Sequence, residues 1–492
     1  MTFIDRWTPS LLNAFLGRAV VNYGSLVKNV GTAFLAQGVA FVLSILQTLL
    51  IPKLLGMEQY GYWQLFIFYC SYVGFAPLGL NDGVYLINGG VSRDKIDKPS
   101  VYSQFRVGLV IELFFSLLLV AVALLGGFGP DREFVIVCTS IFLVVRCVAM
   151  YFAYVLQAMN ETRRSSYSTI VERLAFLAPL LILIIFRCQS FKPFAVAYVT
   201  ASVAQLVYCC WCCRDFFIVG TKPTGQAISE AVHSIRVGFK LMIANIASQL
   251  IIGIARFAID ATWGISAFGE LSFALSMVNF FLAFVSQAAM VLFPALRQVG
   301  ADEIKRFFCN ARDSMSFFSP LLYLLYFPLV WVLSVWLPEY GNSFLYFILL
   351  IPICVFDSKM NICCTTFFKV VRKETLLLGV NLTTCAVSMV LTLVGVIAFQ
   401  SITAVIVGVV VALAGRSVWS EAYLTRMFKC TGARPATVGE LILTISFIAL
   451  AFLLPMGWAF GLYCAVYAAF LFVFRKRVKE LAGKAFSVVK KR

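Results

Sequence analysis

Residues 49–87 read LLIPKLLGMEQYGYWQLFIFYCSYVGFAPLGLNDGVYLI. One apolar run, begun near residue 30, closes in LLIPKLL, a short turn with Glu58 and Gln59 follows, and a second run opens at Tyr62. A helix that crosses a bilayer takes about 20 mostly apolar residues, and each run reaches that length. The same alternation of long apolar runs and short polar gaps continues along all 492 residues and predicts about fourteen spanning helices. The chain is 61% hydrophobic and 13% charged, with mean hydropathy +0.92, whereas a soluble domain is nearer half apolar and a quarter charged. The expected fold is therefore an all-α polytopic membrane protein.

Lysine and arginine set the orientation. They gather in every second gap: Arg93, Lys95 and Lys98; Arg163 and Arg164; Lys222, Arg236 and Lys240; Arg297, Lys305, Arg306 and Arg312; Lys369, Arg372 and Lys373; Arg426, Lys429 and Arg434. The alternate gaps are tiny (GGFGPDRE, RCQSFK, LPEYGN, FQS) and hold Arg132, Arg187 and Lys192, with Lys53 in the first turn. Loops retained in the cytoplasm carry the positive charge, so both termini are expected there. This topology also explains the net charge of +17 better than nucleic-acid binding does, because the basic residues are dispersed over one face of a membrane.

The layout read from these runs is a cytoplasmic interfacial segment (1–29), a six-helix lobe (30–213), a cytoplasmic linker (214–238), a second six-helix lobe (239–424), two further spans (440–474) and a basic cytoplasmic tail (475–492). Ile4, Trp7, Leu11, Phe15 and Leu16 recur at helical spacing, as in a helix lying on the membrane surface. The tail RKRVKELAGKAF is a second basic amphipathic stretch. A weak internal repeat supports the two lobes. LLGMEQYGYWQL (54–65) and TWGISAFGELSF (262–273) share G-x3-[YF]-G, through Gly56, Tyr60 and Gly61 and through Gly264, Phe268 and Gly269, at a constant offset of 208 residues. The copies stand six expected spans apart, so they point the same way in the membrane and form a parallel repeat.

An ionisable side chain at the centre of a spanning helix costs about 2.5–3.5 kcal/mol on insertion scales and commonly marks a pathway. Arg146 and Arg416 fall near mid-span, Arg256 and Asp260 lie four apart on one helix face, and Asp357 and Lys359 share the inner half of one span. Arg146, Arg256, Lys359 and Arg416 are the candidates for a cationic substrate site, since guanidinium binds phosphate bidentately and keeps its charge. Asp260, Asp357 and Glu112 are the candidates for coupling to an ion. Glu112, Asp82 and Glu421 sit near expected inner ends, where solvation alone would satisfy them, and Arg256 with Asp260 would also serve as a structural ion pair. Gly74, Pro77, Gly79 and Gly83 should break the second span.

Little points to catalysis. The lone histidine, His233, falls in an expected inner loop, no GxxxxGK[ST] motif is present, and the outer gaps are too small to assemble sugar chemistry. Cys209, Cys210, Cys212 and Cys213 are packed too tightly along one helix to converge on a metal and are expected to be apolar filler. No catalytic residue, metal or cofactor is expected.

Residues 49–87 resemble the opening helices of bacterial polysaccharide (O-antigen or capsule) flippases of the Wzx type, in the multidrug/oligosaccharidyl-lipid/polysaccharide exporter superfamily. ARFAIDATWGISAFGELSFALS (255–276), followed by VLFPALRQ (291–298), looks like the opening of the second lobe. The resemblance implies two lobes in a V around a cationic cavity and alternating access. Its cargo would be an undecaprenyl-diphosphate-linked oligosaccharide, moved from the inner to the outer leaflet of the bacterial inner membrane. Membrane lipids and other polysaccharide-assembly membrane proteins are the implied partners, with a proton or sodium gradient as a source of direction. Drug exporters of the superfamily often hold an acid in helix 1, where this chain offers only Gln37, Ser44, Gln47 and Thr48. A cation-coupled multidrug or small-solute antiporter is accordingly the alternative.

Overall fold

The computed structural model describes residues 48–296, 301–430 and 433–481. The expected interfacial segment 1–29, most of the expected span 30–51 and the end of the tail lie outside these residues. In both copies of the repeat motif the leading glycine has a positive φ, Gly56 +67° and Gly264 +82°, and at Gly264 the helix is broken. At Gly264, ψ is −175°, a backbone region essentially restricted to glycine. A Cβ there would meet no atom within 4 Å, so the constraint is purely conformational. Gly264→Ala should therefore cost about 1–3 kcal/mol, read as a lowered Tm in detergent; an unchanged Tm would mean that the break relaxes freely.

Around these glycines the described chain is helical and contains no strand. We number the helices α1 (48–70), α2 (Leu80–Ile87), α3 (Lys98–Leu125), α4 (Pro130–Ala158), α5 (Thr162–Ile185), α6 (Phe191–Cys212), α7 (Thr224–Leu296, broken at Gly264), α8 (Glu303–Trp336), α9 (Pro338–Val370), α10 (Glu374–Ile397), α11 (Ile402–Met427), α12 (Pro435–Leu453) and α13 (Met456–Val473). Among the described residues eleven helices are long and apolar enough to cross a membrane, or twelve when the bent pair Thr48–Phe75 and Leu80–Ile87 is one span. That count takes Thr224–Ala283 as one helix, although the break at Gly264 separates the expected spans 239–259 and 269–293. The segment expected as a linker, 214–238, is itself largely helical, and His233 is exposed on α7 rather than in a loop.

Local chemistry fixes the ends. Asp97 caps α3 by accepting from Ser100 N at 3.0 Å, and Pro130 opens α4 with Asp131 and Glu133 in the first turn, where the helix dipole favours acid. Burial raises the Asp97 carboxyl, but bonds from Lys222 Nζ and Ser100 N outweigh it and hold the group below the usual carboxylate range. Pro455 ends one helix and caps the next, so both segments around it are full helices. The expected break in the second span is a bend of 48° between α1 and α2. Its glycines serve a helix crossing: a Cβ on Gly79 would come within 2.9 Å of the Gly238 backbone on α7, and Gly83 lies against Ser234.

The chain forms two compact units. Among the described residues, one holds 48–246 together with Ile265–Gly269; the other holds Ala247–Gly264 and the residues from Glu270 onward. In the first, α4 is central and packs against α2, α3, α5 and α6. Cys209, Cys212 and Cys213 are buried there among Phe105, Phe152 and Phe216, as expected of thiols acting as small hydrophobes. By contrast α3 leaves Val110, Phe114, Leu117 and Leu125 exposed, a face suited to lipid rather than water. Within the same unit, Gly61 and Gly269 meet: a Cβ on Gly269 would lie 3.1 Å from Gly61 Cα, and one on Gly61 would lie 2.5 Å from Ile265 O. The Phe68 and Phe268 rings pack edge to face beside them at 5.7 Å. In the second unit α11 packs against α9 and α10, and α12 against α13 and the first half of α8.

Candidate functional site

An arginine in mid-span needs a partner, and Arg146 has two. From α4 its Nη1 donates to Glu172 Oε1 on α5 at 2.8 Å and to Gln205 Oε1 on α6 at 2.6 Å. Ser202 Oγ donates to the same Glu172 oxygen at 3.3 Å, and Gln205 Nε2 to Ser168 Oγ at 3.3 Å. The Arg146 side chain is 27% exposed while that of Glu172 is 7% exposed, so the network is anchored inside the unit at its acid and is least enclosed at its arginine. Toward the α1 end, stacked and edge-on rings of Trp63, Phe66, Phe142, Phe176 and Tyr198 hold α4, α5 and α6 together, which keeps the donors and acceptors in register.

The second unit holds the other candidates. Arg416 on α11 is paired with Asp357 on α9 and reaches Ser248 Oγ at 3.4 Å and Asn381 Oδ1 at 3.5 Å. Its Nε is buried without a hydrogen bond. Arg256 donates through Nη2 to Ser272 Oγ at 2.9 Å, and Asp260, one turn along α7, is buried. Lys359 precedes a π-helical turn at Met360–Thr365, a distortion frequent at functional sites, and contacts Glu421 and Glu440. Asp357 and Lys359 thus belong to different clusters although they are two residues apart.

Glu112 and Glu421, placed by sequence near solvated helix ends, are both buried. Oε2 of Glu112 has no hydrogen-bond partner. Sequence reasoning passed over Glu172, Gln205 and Glu440. Each is the polar exception near the start or middle of an apolar run, and a demand that every mid-span base find an acid in another run would have singled out both glutamates. Among the described residues no group of histidine, cysteine and acidic side chains is placed to hold a metal ion.

The fold is that of known membrane transporters. A structure of the lipid II flippase MurJ in an inward closed conformation aligns with TM-score 0.64 at 10% identity, covering 92% of this chain and 99% of that one. An inward-facing multidrug resistance MATE family transporter of the MOP superfamily aligns with TM-score 0.59 at 12% identity, covering 80% and 96%. A MATE transporter from Vibrio cholerae gives 0.53 at 16% identity, covering 82% and 97%. At these identities the likeness is one of fold. No curated protein sequence matches significantly. The family of polysaccharide biosynthesis proteins, in contrast, matches residues 26–299. That is more than half of the 492 residues, and this multi-pass membrane chain belongs to the polysaccharide biosynthesis protein family, in line with the resemblance carried by residues 49–87 and 255–276.

Proposed function

We propose that the protein is a flippase that moves an undecaprenyl-diphosphate-linked oligosaccharide from the inner to the outer leaflet of the bacterial inner membrane by alternating access. Membership of the polysaccharide biosynthesis family and a fold shared with a flippase support it. The observation that carries it is Arg146, a permanent cation in mid-span whose side chain is partly exposed. A diphosphate oxygen would take the place of Glu172 on Arg146, and Glu172 would keep the Ser202 hydroxyl as a donor. Arg256 and Arg416 are the corresponding candidates in the second unit. Lys359 is enclosed by carboxylates, and we assign it to the protein interior rather than to the substrate. A proton or sodium gradient would supply direction through Glu112, Asp260 or Asp357.

Deleting the gene in its host tests this function. Loss of surface polysaccharide, with complete lipid-linked repeat units accumulating on the cytoplasmic leaflet, is the expected result. Unchanged glycan with altered sensitivity to cationic drugs would make the protein an antiporter instead.

A further inference from the structure

Lys359 sits in an unbalanced cluster. Its Nζ lies 2.6 Å from Glu421 Oε2 on α11 and 2.6 Å from Glu440 Oε2 on α12, and it donates to Ser316 Oγ on α8 at 2.9 Å. The side chains of Lys359, Glu421 and Glu440 are 1%, 3% and 1% exposed. Two carboxyls therefore share one ammonium out of contact with water, and full ionisation would leave one uncompensated negative charge.

Among the described residues the surroundings do not cancel that charge. From α8 the neighbouring titratable groups are Tyr323, whose hydroxyl is hydrogen-bonded to Thr444 at 2.9 Å, and Arg312 beyond Cys363. Arg312 is matched by Asp313 Oδ1 at 2.6 Å; Arg477, which shares Asp313 through Oδ2 at 2.7 Å, is matched in turn by Glu480 at 3.0 Å. From α9 come the thiols Cys363 and Cys364, and from α11 Arg416, which is matched by Asp357. On α12, Thr437 Oγ1 donates to Glu421 Oε1 at 2.8 Å. Among the described residues Glu440 Oε1 is buried and accepts no hydrogen bond, so one carboxylate oxygen still lacks a donor or a positive partner.

We propose that Lys359, Glu421 and Glu440 form an internal binding site for one additional positive charge, a proton or a sodium ion, taken up by the two carboxyls. With that charge in place α12 is fastened to α9 and α11 as a neutral cluster; without it, two like charges compete for one ammonium. The proposal stands on side-chain geometry and holds whatever the protein transports.

The test uses purified full-length protein and its Glu421→Gln and Glu440→Gln variants, titrated across pH in sodium and in choline buffers. Infrared difference spectra and Tm are recorded. If the charge is a proton, wild type shows a protonated-carboxyl C=O signal near neutral pH that is lost in each Gln variant. If it is sodium, wild type shows a sodium-dependent rise in Tm that each variant lacks. Identical carboxyl signals and identical sodium responses in all proteins would overturn the proposal. Failure of both variants to fold would overturn it too, because each keeps one carboxylate for Lys359 and removes only the surplus charge.

Discussion

Lys359→Met should destabilise the protein by about 3–5 kcal/mol, the range seen when one partner of a buried ion pair is removed. The methionine fits the volume and loses only the charge, but Glu421 and Glu440 are then left facing each other with side chains 3% and 1% exposed. Ser316 and Thr437 hydroxyls cannot replace an ammonium that lies 2.6 Å from both carboxyls. Loss of either glutamate should be far milder, since one balanced pair remains. Unfolding of the purified variants in mixed detergent measures the difference. A Lys359→Met cost below about 1 kcal/mol, the size of an exposed pair, would show that water reaches the cluster.

Arg146→Ala should cut export of lipid-linked oligosaccharide by about 100-fold or more, because hydrogen bonds to charged groups are worth about 1.5–3 kcal/mol each, a guanidinium offers two to a phosphate, and about 1.4 kcal/mol is tenfold. The single variant also strands the buried Glu172 carboxylate, so it will accumulate poorly for a structural reason. Arg146→Ala/Glu172→Gln separates the two effects: it removes the pair without leaving a charge behind and should restore membrane levels without restoring export. The measurement is surface glycan per unit of membrane-inserted protein. Normal glycan in the double variant would remove Arg146 from the transport path.

The helices were legible because a bilayer imposes length and polarity on each segment separately, so 130–158 or 402–427 declares itself without reference to the rest of the chain. Gly264 was legible as half of a repeat, though not as a residue with positive φ. Arg146 and Arg416 stood out as charges where a membrane tolerates few. Their partners did not, since pairing depends on which helices meet: Glu172 is 26 residues from Arg146, and Glu440 is 81 from Lys359. Sequence position likewise put Glu421 near water, whereas the packing of α11 against α9 encloses it. Helix periodicity sees contacts three and four residues apart and is blind to those.

The short segment Ile265–Gly269 belongs by sequence to the second copy of the repeat but is packed inside the first unit, its Gly269 against Gly61 and its Phe268 ring on Phe68. The structural units therefore do not coincide with the halves expected from the sequence motif. A gene cut at codon 246 would yield a leading fragment with Gly61 and Phe68 uncovered, and a trailing fragment carrying five residues that complete its neighbour.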